Sequence, residues 1–202
     1  MPSPGQWTIV GAMKLEFITS AADPGGWPKA SRPEIAIAGR SNAGKSSFLN
    51  VLSGNKVAKV SQTPGKTRLL NFFEAGESYR LVDMPGYGFS KRSGDEQASW
   101  GELIETYVRA REVLLGVLLL ADIRREWSEE EQMVLDYAQA NGRQVAVALT
   151  KADTVSRNEI NKRKAAIQKA SGERDLFTVS IRDQDSVLAV EDFMFRQWVK
   201  KR

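Results

Sequence analysis

Eight residues early in the chain have the types and spacing of a loop that binds phosphate. The segment from Gly39 to Ser46 reads Gly-Arg-Ser-Asn-Ala-Gly-Lys-Ser, which matches G-x-x-x-x-G-K-[ST] between an apolar segment and a helix-compatible one. The glycines permit a tight turn in which backbone N–H groups and a helix N-terminus point at phosphate. Lys45 would place its ammonium on the terminal phosphates, and Ser46 would offer a hydroxyl to Mg²⁺. The residues expected at the phosphates are Gly39, Arg40, Ser41, Asn42, Ala43, Gly44, Lys45, Ser46 and Ser47.

A second motif, Thr150-Lys151-Ala152-Asp153, follows the apolar segment 144–149. In an open α/β fold such a position lies where the carboxyl ends of strands meet ligands. The Asp153 carboxylate can accept both N1–H and the exocyclic amino group of guanine. Adenine has no donor at either place, and a site built on such bonds discriminates by a factor of about 10⁴. We therefore expect GTP and GDP as ligands, with Lys151 along the base and the Ser180 N–H presented to guanine O6. The residues expected around the base are Thr150, Lys151, Ala152, Asp153, Val179, Ser180 and Ile181.

Two segments between these motifs have the composition of nucleotide-sensing loops. In the first, Asp83 could hold Mg²⁺ through water, and the Gly86 N–H could contact the γ-phosphate. The second, residues 62–67, contains Gly and Pro, and we choose Thr67 over Thr63 as a further Mg²⁺ ligand. Both loops are expected to be ordered by the γ-phosphate and to relax after its loss. The polar stretch 90–96 is expected to be mobile, although any surface loop would be. Further nucleotide contacts are therefore expected from Gly65, Lys66, Thr67, Asp83, Met84, Pro85 and Gly86.

The amino-acid composition limits the catalytic and metal-binding chemistry that the chain can carry out. The 202 residues include neither Cys nor His, which excludes disulfides, thiolate nucleophiles and imidazole catalysis and leaves oxygen ligands of the kind that Mg²⁺ prefers. The longest apolar run, Val113 to Ala121, is shorter than the roughly 20 residues of a membrane-spanning helix. Because the N-terminus lacks a secretory pattern, we expect a cytoplasmic protein. The net charge of +4 is weak support for RNA as a partner.

Apolar and amphipathic segments alternate along most of the chain, and this alternation predicts an α/β fold with a mainly parallel sheet. Ser128 with Glu131, and Ser156 with Glu159, each have the spacing of a helix-starting capping box. Residues 1–13 are expected to be a disordered leader, and residues 14–202 one domain. The predicted strands cover 34–38, 69–74, 79–83, 114–121, 144–149 and 177–180, and the predicted helices 45–52, 96–111, 129–140, 157–170 and 186–200.

The order and wording of the motifs resemble the EngB family of bacterial ribosome-assembly GTPases. The resemblance is carried by GRSNAGKSS, TPGKTRLLNFF, DMPGYGFSK, TKAD and a final VSI, and runs from about Leu15 to the C-terminus. It implies a three-layer, Ras-like P-loop GTPase fold with a mixed, mostly parallel six-stranded sheet that has one antiparallel strand and is flanked by helices. It also implies a role in late assembly of the large (50S) ribosomal subunit, with an effect on growth and cell division. The looser VSI version of the usual final loop makes Ser180 the weakest of the base contacts.

Intrinsic hydrolysis of GTP should be slow or use another device, because of the residue that follows Gly86. In Ras-like enzymes a Gln after the DxxG glycine orients the attacking water, whereas Tyr87 follows Gly86 here. A phenol cannot take that role in the same geometry, so slow intrinsic hydrolysis is expected. Similar proteins carry an Asn in the phosphate loop that helps to hold K⁺, which suggests K⁺ stimulation through Asn42; the alternative is that Asn42 only forms a turn. The expected catalytic residues are Asn42, Lys45, Thr67 and Gly86.

Clusters of cations could bind ribosomal RNA through its phosphates. The alternative is an ordinary solvated helix surface, since Lys and Arg are common there. We expect a monomer that binds the large-subunit precursor and neither DNA nor membranes. A nucleotide-sensing module with little hydrolysis, or a related switch in tRNA modification or at membranes, remains the alternative function. The cations are Arg157, Lys162, Arg163, Lys164 and Lys169 on one helix and Arg196, Lys200, Lys201 and Arg202 at the end of the chain.

Overall fold

A seven-stranded sheet forms the centre of the computed structural model, which describes residues 13–57, 69–88 and 94–201, with 94–100 as backbone only. The strand order is β1-β3-β4-β2-β5-β6-β7. Within these ranges β3 alone runs opposite to the other strands, because it pairs antiparallel with both β1 and β4 while the remaining neighbours are parallel. The strands are Leu15–Ala21 (β1), Glu34–Gly39 (β2), Leu70–Ala75 (β3), Tyr79–Asp83 (β4), Leu114–Asp122 (β5), Gln144–Thr150 (β6) and Leu176–Thr178 (β7).

The mixed, mostly parallel α/β sheet with one antiparallel strand is confirmed, but the expected number of six strands is wrong. The additional strand is β1, which lies at the edge of the sheet and pairs with β3. A register shift between Phe17 and Thr19 interrupts its pairing, and Phe17 and Ile18 are both exposed. A bulge of this kind breaks the alternation of buried and exposed residues by which a strand is recognised in sequence.

Helices cover both faces of the sheet and give three layers. One face packs against α1 and α5, and the other against α2, α3 and α4. Strand β2 supplies both cores: Ile35 and Ile37 face the first pair of helices, and Ala36 and Ala38 face the others, as the two-residue period of a strand requires. The helices are Lys45–Ser53 (α1), Gly94–Ala110 (α2), Glu129–Ala140 (α3), Arg157–Ser171 (α4) and Gln184–Met194 (α5).

The ends of the helices largely follow the local signals in the sequence. Ser128 and Glu131 form the reciprocal capping box at the start of α3, and Ser156 Oγ accepts the Glu159 N–H at the start of α4. The last helix differs from the prediction, because Asp183 caps its start and a π-helical turn, Phe195–Val199, follows it. That turn lets Trp198 join the core beside Met194.

Candidate nucleotide-binding site

The phosphate loop connects β2 to α1 and is shaped by two glycines. Gly39 has φ +152°, and a Cβ there would lie 2.4 Å from the Leu120 carbonyl oxygen, so only glycine fits against β5. Gly44 has φ +96° and is the N-cap of α1. Because this cap has no side chain, the first N–H groups of α1 remain directed at the loop, where the helix dipole favours an anion.

Lys45 is buried in the first turn of α1. Its Nζ donates to the carbonyl oxygen of Gly39 at 2.9 Å and to that of Arg40 at 3.4 Å. Burial lowers the pKa of Lys45, and the nearby negative charge of Asp83 opposes this shift. The loop thus holds a partly desolvated cation at its centre, which suits phosphate oxygens better than the neutral carbonyls it now contacts.

Asp83 ends β4, and its position in the sheet is opposite Ile37 of β2. Its Oδ1 atom is buried and has no hydrogen-bond partner among the described residues. Burial raises the pKa of Asp83 to about 6, although Lys45 and a hydrogen bond with Asn71 act to lower it. A buried oxygen without a donor is costly unless something binds it. A water in the Mg²⁺ shell would bind it, so Asp83, with the Ser46 hydroxyl on α1, fits this metal.

The segment 84–88 lies across the phosphate loop. The Met84 N–H donates to the Ile37 carbonyl at 3.0 Å, and the Ser41 N–H donates to the Tyr87 carbonyl at 2.9 Å. A Cβ on Gly86 would lie 2.8 Å from Ser41 Oγ and 3.0 Å from Lys45 Nζ. The Gly86 backbone therefore lies close to the Lys45 ammonium and to Ser41.

The Tyr87 side chain is only 4% exposed and packs in the core on the side of α2 and α3. Burial raises its pKa, and the negative charge of Glu131 adds to the effect. The residue that follows Gly86 thus turns its side chain into the core and away from solvent.

The motif Thr150-Lys151-Ala152-Asp153, which is predicted to read guanine, is docked directly on the phosphate loop. Thr150 Oγ1 donates to the carbonyl oxygens of Ala43 at 2.8 Å and Ala121 at 3.2 Å. Lys151 Nζ donates to the Asn42 carbonyl at 2.8 Å. Two motifs more than a hundred residues apart in the sequence are therefore joined by two hydrogen bonds.

The Asp153 side chain is contacted by the loop that follows β7. Its Oδ1 accepts the Ser180 hydroxyl at 2.8 Å, and its Oδ2 lies 3.4 Å from Arg182 Nε. The Ala152 N–H donates to the Val179 carbonyl at 3.2 Å, which brings the final loop against the motif. The Ser180 N–H donates to Ser186 Oγ at 3.1 Å, and Ile181 is exposed beside it.

Three residues that support this site were not predicted from the sequence: Asp122, Arg182 and Glu130. Asp122 accepts a hydrogen bond from Lys151. Arg182 forms an ion pair with Asp153. Glu130 of α3 forms an ion pair with Arg40 of the phosphate loop at 3.2 Å. A signal for Asp122 existed, because it is a carboxylate at the end of a buried strand next to the strand that carries Thr150. Arg182 and Glu130 are single charges in polar segments and give no such signal. The predicted contacts Gly65, Lys66 and Thr67 lie outside the described residues.

The sequence of the chain is similar to those of known proteins. The chain matches the family model described as 50S ribosome-binding GTPase (MMR_HSR1) over residues 34–151. It is 51% identical over 187 residues to the probable GTP-binding protein EngB of Bdellovibrio bacteriovorus, covering 93% of this chain and 94% of that one. It is 46% identical over 158 residues to the probable GTP-binding protein EngB of Geobacter metallireducens, covering 78% of each.

Solved structures show the same fold. The crystal structure of a probable GTP-binding protein engB has a TM-score of 0.69 and 20% identity, covering 84% of this chain and all of that one. Aquifex aeolicus Era bound to GDP and AlF₄⁻ has a TM-score of 0.63 and 22% identity, covering 80% of this chain and 55% of that one. Among the described residues, no helix is long and apolar enough to cross a membrane.

Fold and site together define a P-loop GTP-binding domain of the GTPase class. Within that class, both of these sequence relatives are EngB proteins. The chain belongs to the EngB family of GTP-binding proteins.

Proposed function

We propose that this protein hydrolyses GTP slowly as a nucleotide-dependent switch in late assembly of the large ribosomal subunit, and that normal growth and division depend on it. The docking of the guanine-reading motif on the phosphate loop, through Thr150 to Ala43 at 2.8 Å, is the observation that carries the nucleotide-binding part. The printed description of the matching family, 50S ribosome-binding GTPase, supports the ribosomal part.

Catalysis in this proposal depends on electrostatics and positioning. Lys45 and the N–H groups at the start of α1 stabilise negative charge that develops on the transferring phosphate. The Gly86 backbone, close to Lys45, would contact the γ-phosphate, and Ser46, Thr67 and Asp83 would hold Mg²⁺. When bound, Mg²⁺ supplies further positive charge at the phosphate oxygens. With Tyr87 buried, intrinsic turnover is slow.

K⁺ stimulation of turnover is part of the proposal. Asn42 is exposed and has φ +66°, a left-handed conformation that Asn tolerates, so the turn alone could explain the residue type. The variant Asn42→Gly separates the two roles because it keeps the turn and removes the carboxamide. We expect faster GTP turnover by the wild type in K⁺ than in Na⁺, and loss of this difference in Asn42→Gly. Equal wild-type rates in both salts would contradict K⁺ stimulation.

The basic surface of α4 supports an RNA-binding role, but its cationic residues differ in how exposed they are and in whether they are already paired. Arg163 is partly buried and already engaged, since it pairs with Glu159 at 2.7 Å and donates to the Arg124 carbonyl at 3.0 Å. Lys162 and Lys169 are exposed, and their spacing of seven residues places them on one side of the helix. These two lysines are therefore the better test of phosphate contacts.

The proposal is tested by cosedimentation with purified large ribosomal subunits. We expect more bound protein with a non-hydrolysable GTP analogue than with GDP or no nucleotide, and weaker binding as salt rises. The double variant Lys162→Glu and Lys169→Glu should bind several-fold less, whereas the matched pair Lys29→Glu and Lys56→Glu, on exposed positions elsewhere, should bind normally. Equal sedimentation in all nucleotide states would contradict the nucleotide-dependent switch. An equal loss of ribosome binding in both double variants would contradict a specific role of the α4 surface.

The buried Tyr87 also favours a second candidate, a guanine-nucleotide sensor with little hydrolysis. The two functions differ in how turnover responds to the ribosome. Phosphate release that rises severalfold on addition of large subunits supports the assembly factor, and release that stays at the intrinsic rate supports the sensor.

A further inference from the structure

A buried carboxylate outside the recognised motifs lies directly beneath the guanine-reading loop. Asp122 ends β5 and pairs in register with Thr150 of β6. Its side chain is 5% exposed. A carboxylate this deep is unfavourable unless charged or polar donors surround it, so its partners indicate what it does.

Among the described residues, four hydrogen bonds converge on Asp122. Arg124 contributes three: Nε and Nη2 at 2.9 and 2.6 Å, and the backbone N–H at 3.1 Å. The fourth comes from Lys151 Nζ at 2.8 Å. Burial by itself would raise the pKa of Asp122, but these bonds outweigh it and hold the pKa well below the ordinary value. Asp122 is therefore an ionised acceptor that is fully used by its neighbours.

Lys151 connects this carboxylate to the phosphate loop. Its ammonium contacts both Asp122 Oδ2 and the Asn42 carbonyl, each at 2.8 Å. Lys151 has φ +61°, and Asn42 has φ +66°. Both residues are thus in left-handed turns at the point where the loops meet, and such turns persist only when surrounding contacts fix them.

We propose that Asp122 is a positioning residue for nucleotide binding: its carboxylate fixes the Lys151 ammonium, and thereby keeps the guanine-reading loop docked on the phosphate loop, an assignment that rests on the nucleotide site described above. The other acceptor of the Lys151 ammonium, the Asn42 carbonyl, is neutral. The ionised Asp122 supplies the stronger, charge-assisted bond, and Arg124 prevents the carboxylate from rotating away.

An exposed ion pair would not have this effect. Arg196 and Asp192 on the last helix form a pair of similar length, 2.7 Å, but their side chains are 68% and 53% exposed, and such pairs contribute little. Because Asp122 is shielded from water, changing its charge should be transmitted to Lys151 and not be absorbed by solvent.

The test follows the dissociation of a fluorescent GDP analogue by stopped flow. Asp122→Asn keeps the shape but turns an amide group toward the donors of Arg124 and Lys151, so we expect dissociation to accelerate about tenfold, the size of one charged hydrogen bond. Asp192→Asn serves as the control and should leave the rate unchanged. Thermal melting of each variant checks that the protein is folded.

A double-mutant cycle with Lys151→Met separates positioning from general destabilisation. If Asp122 acts through Lys151, Asp122→Asn should change the rate less than twofold in the Lys151→Met background. Additive effects, or an unchanged rate in folded Asp122→Asn, would overturn the assignment. If Asp122→Asn does not fold, the cycle is run with Asp122→Glu, which keeps the charge and shifts the oxygens by one methylene; about threefold faster release is expected, again absent with Lys151→Met. A wild-type protein that does not bind the GDP analogue would instead contradict the nucleotide site itself.

Discussion

The Ser180 hydroxyl donates a hydrogen bond of 2.8 Å to Oδ1 of Asp153, and this bond connects the loop after β7 to the carboxylate that we propose as the reader of guanine. From the sequence, Ser180 was expected to act through its backbone N–H toward the base. That contact stays a prediction, while the N–H donates to Ser186 Oγ. The side chain gives Ser180 a role that the sequence did not indicate, which is to orient Asp153.

Ser180→Ala should therefore weaken binding of GDP about fivefold, the effect of one ordinary hydrogen bond. Isothermal titration calorimetry measures the dissociation constant. Ser171→Ala is a suitable control because that hydroxyl accepts the Glu173 N–H at the end of α4. Equal affinity in wild type and Ser180→Ala would mean that Asp153 is oriented without it.

Asp153→Asn should change which base is bound. The amide can accept N1–H and donate to the C2 carbonyl of xanthine, whereas it meets the amino group of guanine with a donor of its own. We expect GDP affinity to fall by at least about a hundredfold and xanthosine diphosphate to become the better ligand. Competition of both nucleotides against a fluorescent analogue measures this, and an unchanged preference for GDP would exclude Asp153 as the reader.

Gly39→Ala should destabilise the free protein, because the new Cβ would lie 2.4 Å from the Leu120 carbonyl oxygen. A loss of about 2–4 kcal/mol in the free energy of unfolding is expected, measured by urea denaturation. Gly142→Ala is the matched control: it too has a positive φ, +72°, but nothing lies within 4 Å, so only about 1 kcal/mol should be lost. Similar losses in both variants would show that the contact with β5 relaxes.

Arg111→Met should also destabilise the fold. Arg111 binds both oxygens of the fully buried Glu34, at 2.8 and 2.5 Å, and Tyr107 donates to the same carboxylate at 2.7 Å. Removing one partner of a buried pair costs about 3–5 kcal/mol, whereas Arg196→Met in the exposed pair should cost less than about 0.5 kcal/mol. Chemical denaturation of both variants compares them, and a small effect of Arg111→Met would mean that Arg80, 3.6 Å from Glu34, replaces it.

The contribution of the Asp122 carboxylate to the stability of the fold should be lost at acid pH. Its pKa in the folded protein lies below the ordinary value, so the carboxylate stabilises the fold above about pH 4 and this stabilisation is lost as pH falls toward the folded pKa. The melting temperature of the wild type should therefore fall more steeply between about pH 5 and 3 than that of Asp122→Asn. Parallel melting curves across this range would indicate that Asp122 titrates normally.

Much of the architecture could be predicted because it depends on local patterns. The capping box of Ser128 and Glu131 and the bounds of α3 were predicted from nearby residues and are confirmed. On α2, Leu103, Ile104, Tyr107 and Val108 recur at the spacing of one helix face, and all four are buried. Strand β1 escaped prediction because its pairing is bulged at the sheet edge, where one face is not required to be apolar.

The sequence by itself determined the ligand class. The spacing of Gly39, Gly44 and Lys45 predicts a backbone that bends around phosphate, and Asp153 is proposed to match the donors of guanine, so residue types and spacing sufficed to predict the ligand class. Only the tertiary structure decided how these motifs are held together. Asp122 meets Lys151, and Arg182 meets Asp153, because parallel strands bring their carboxyl ends to one edge; such contacts depend on strand order and register, which no local pattern specifies.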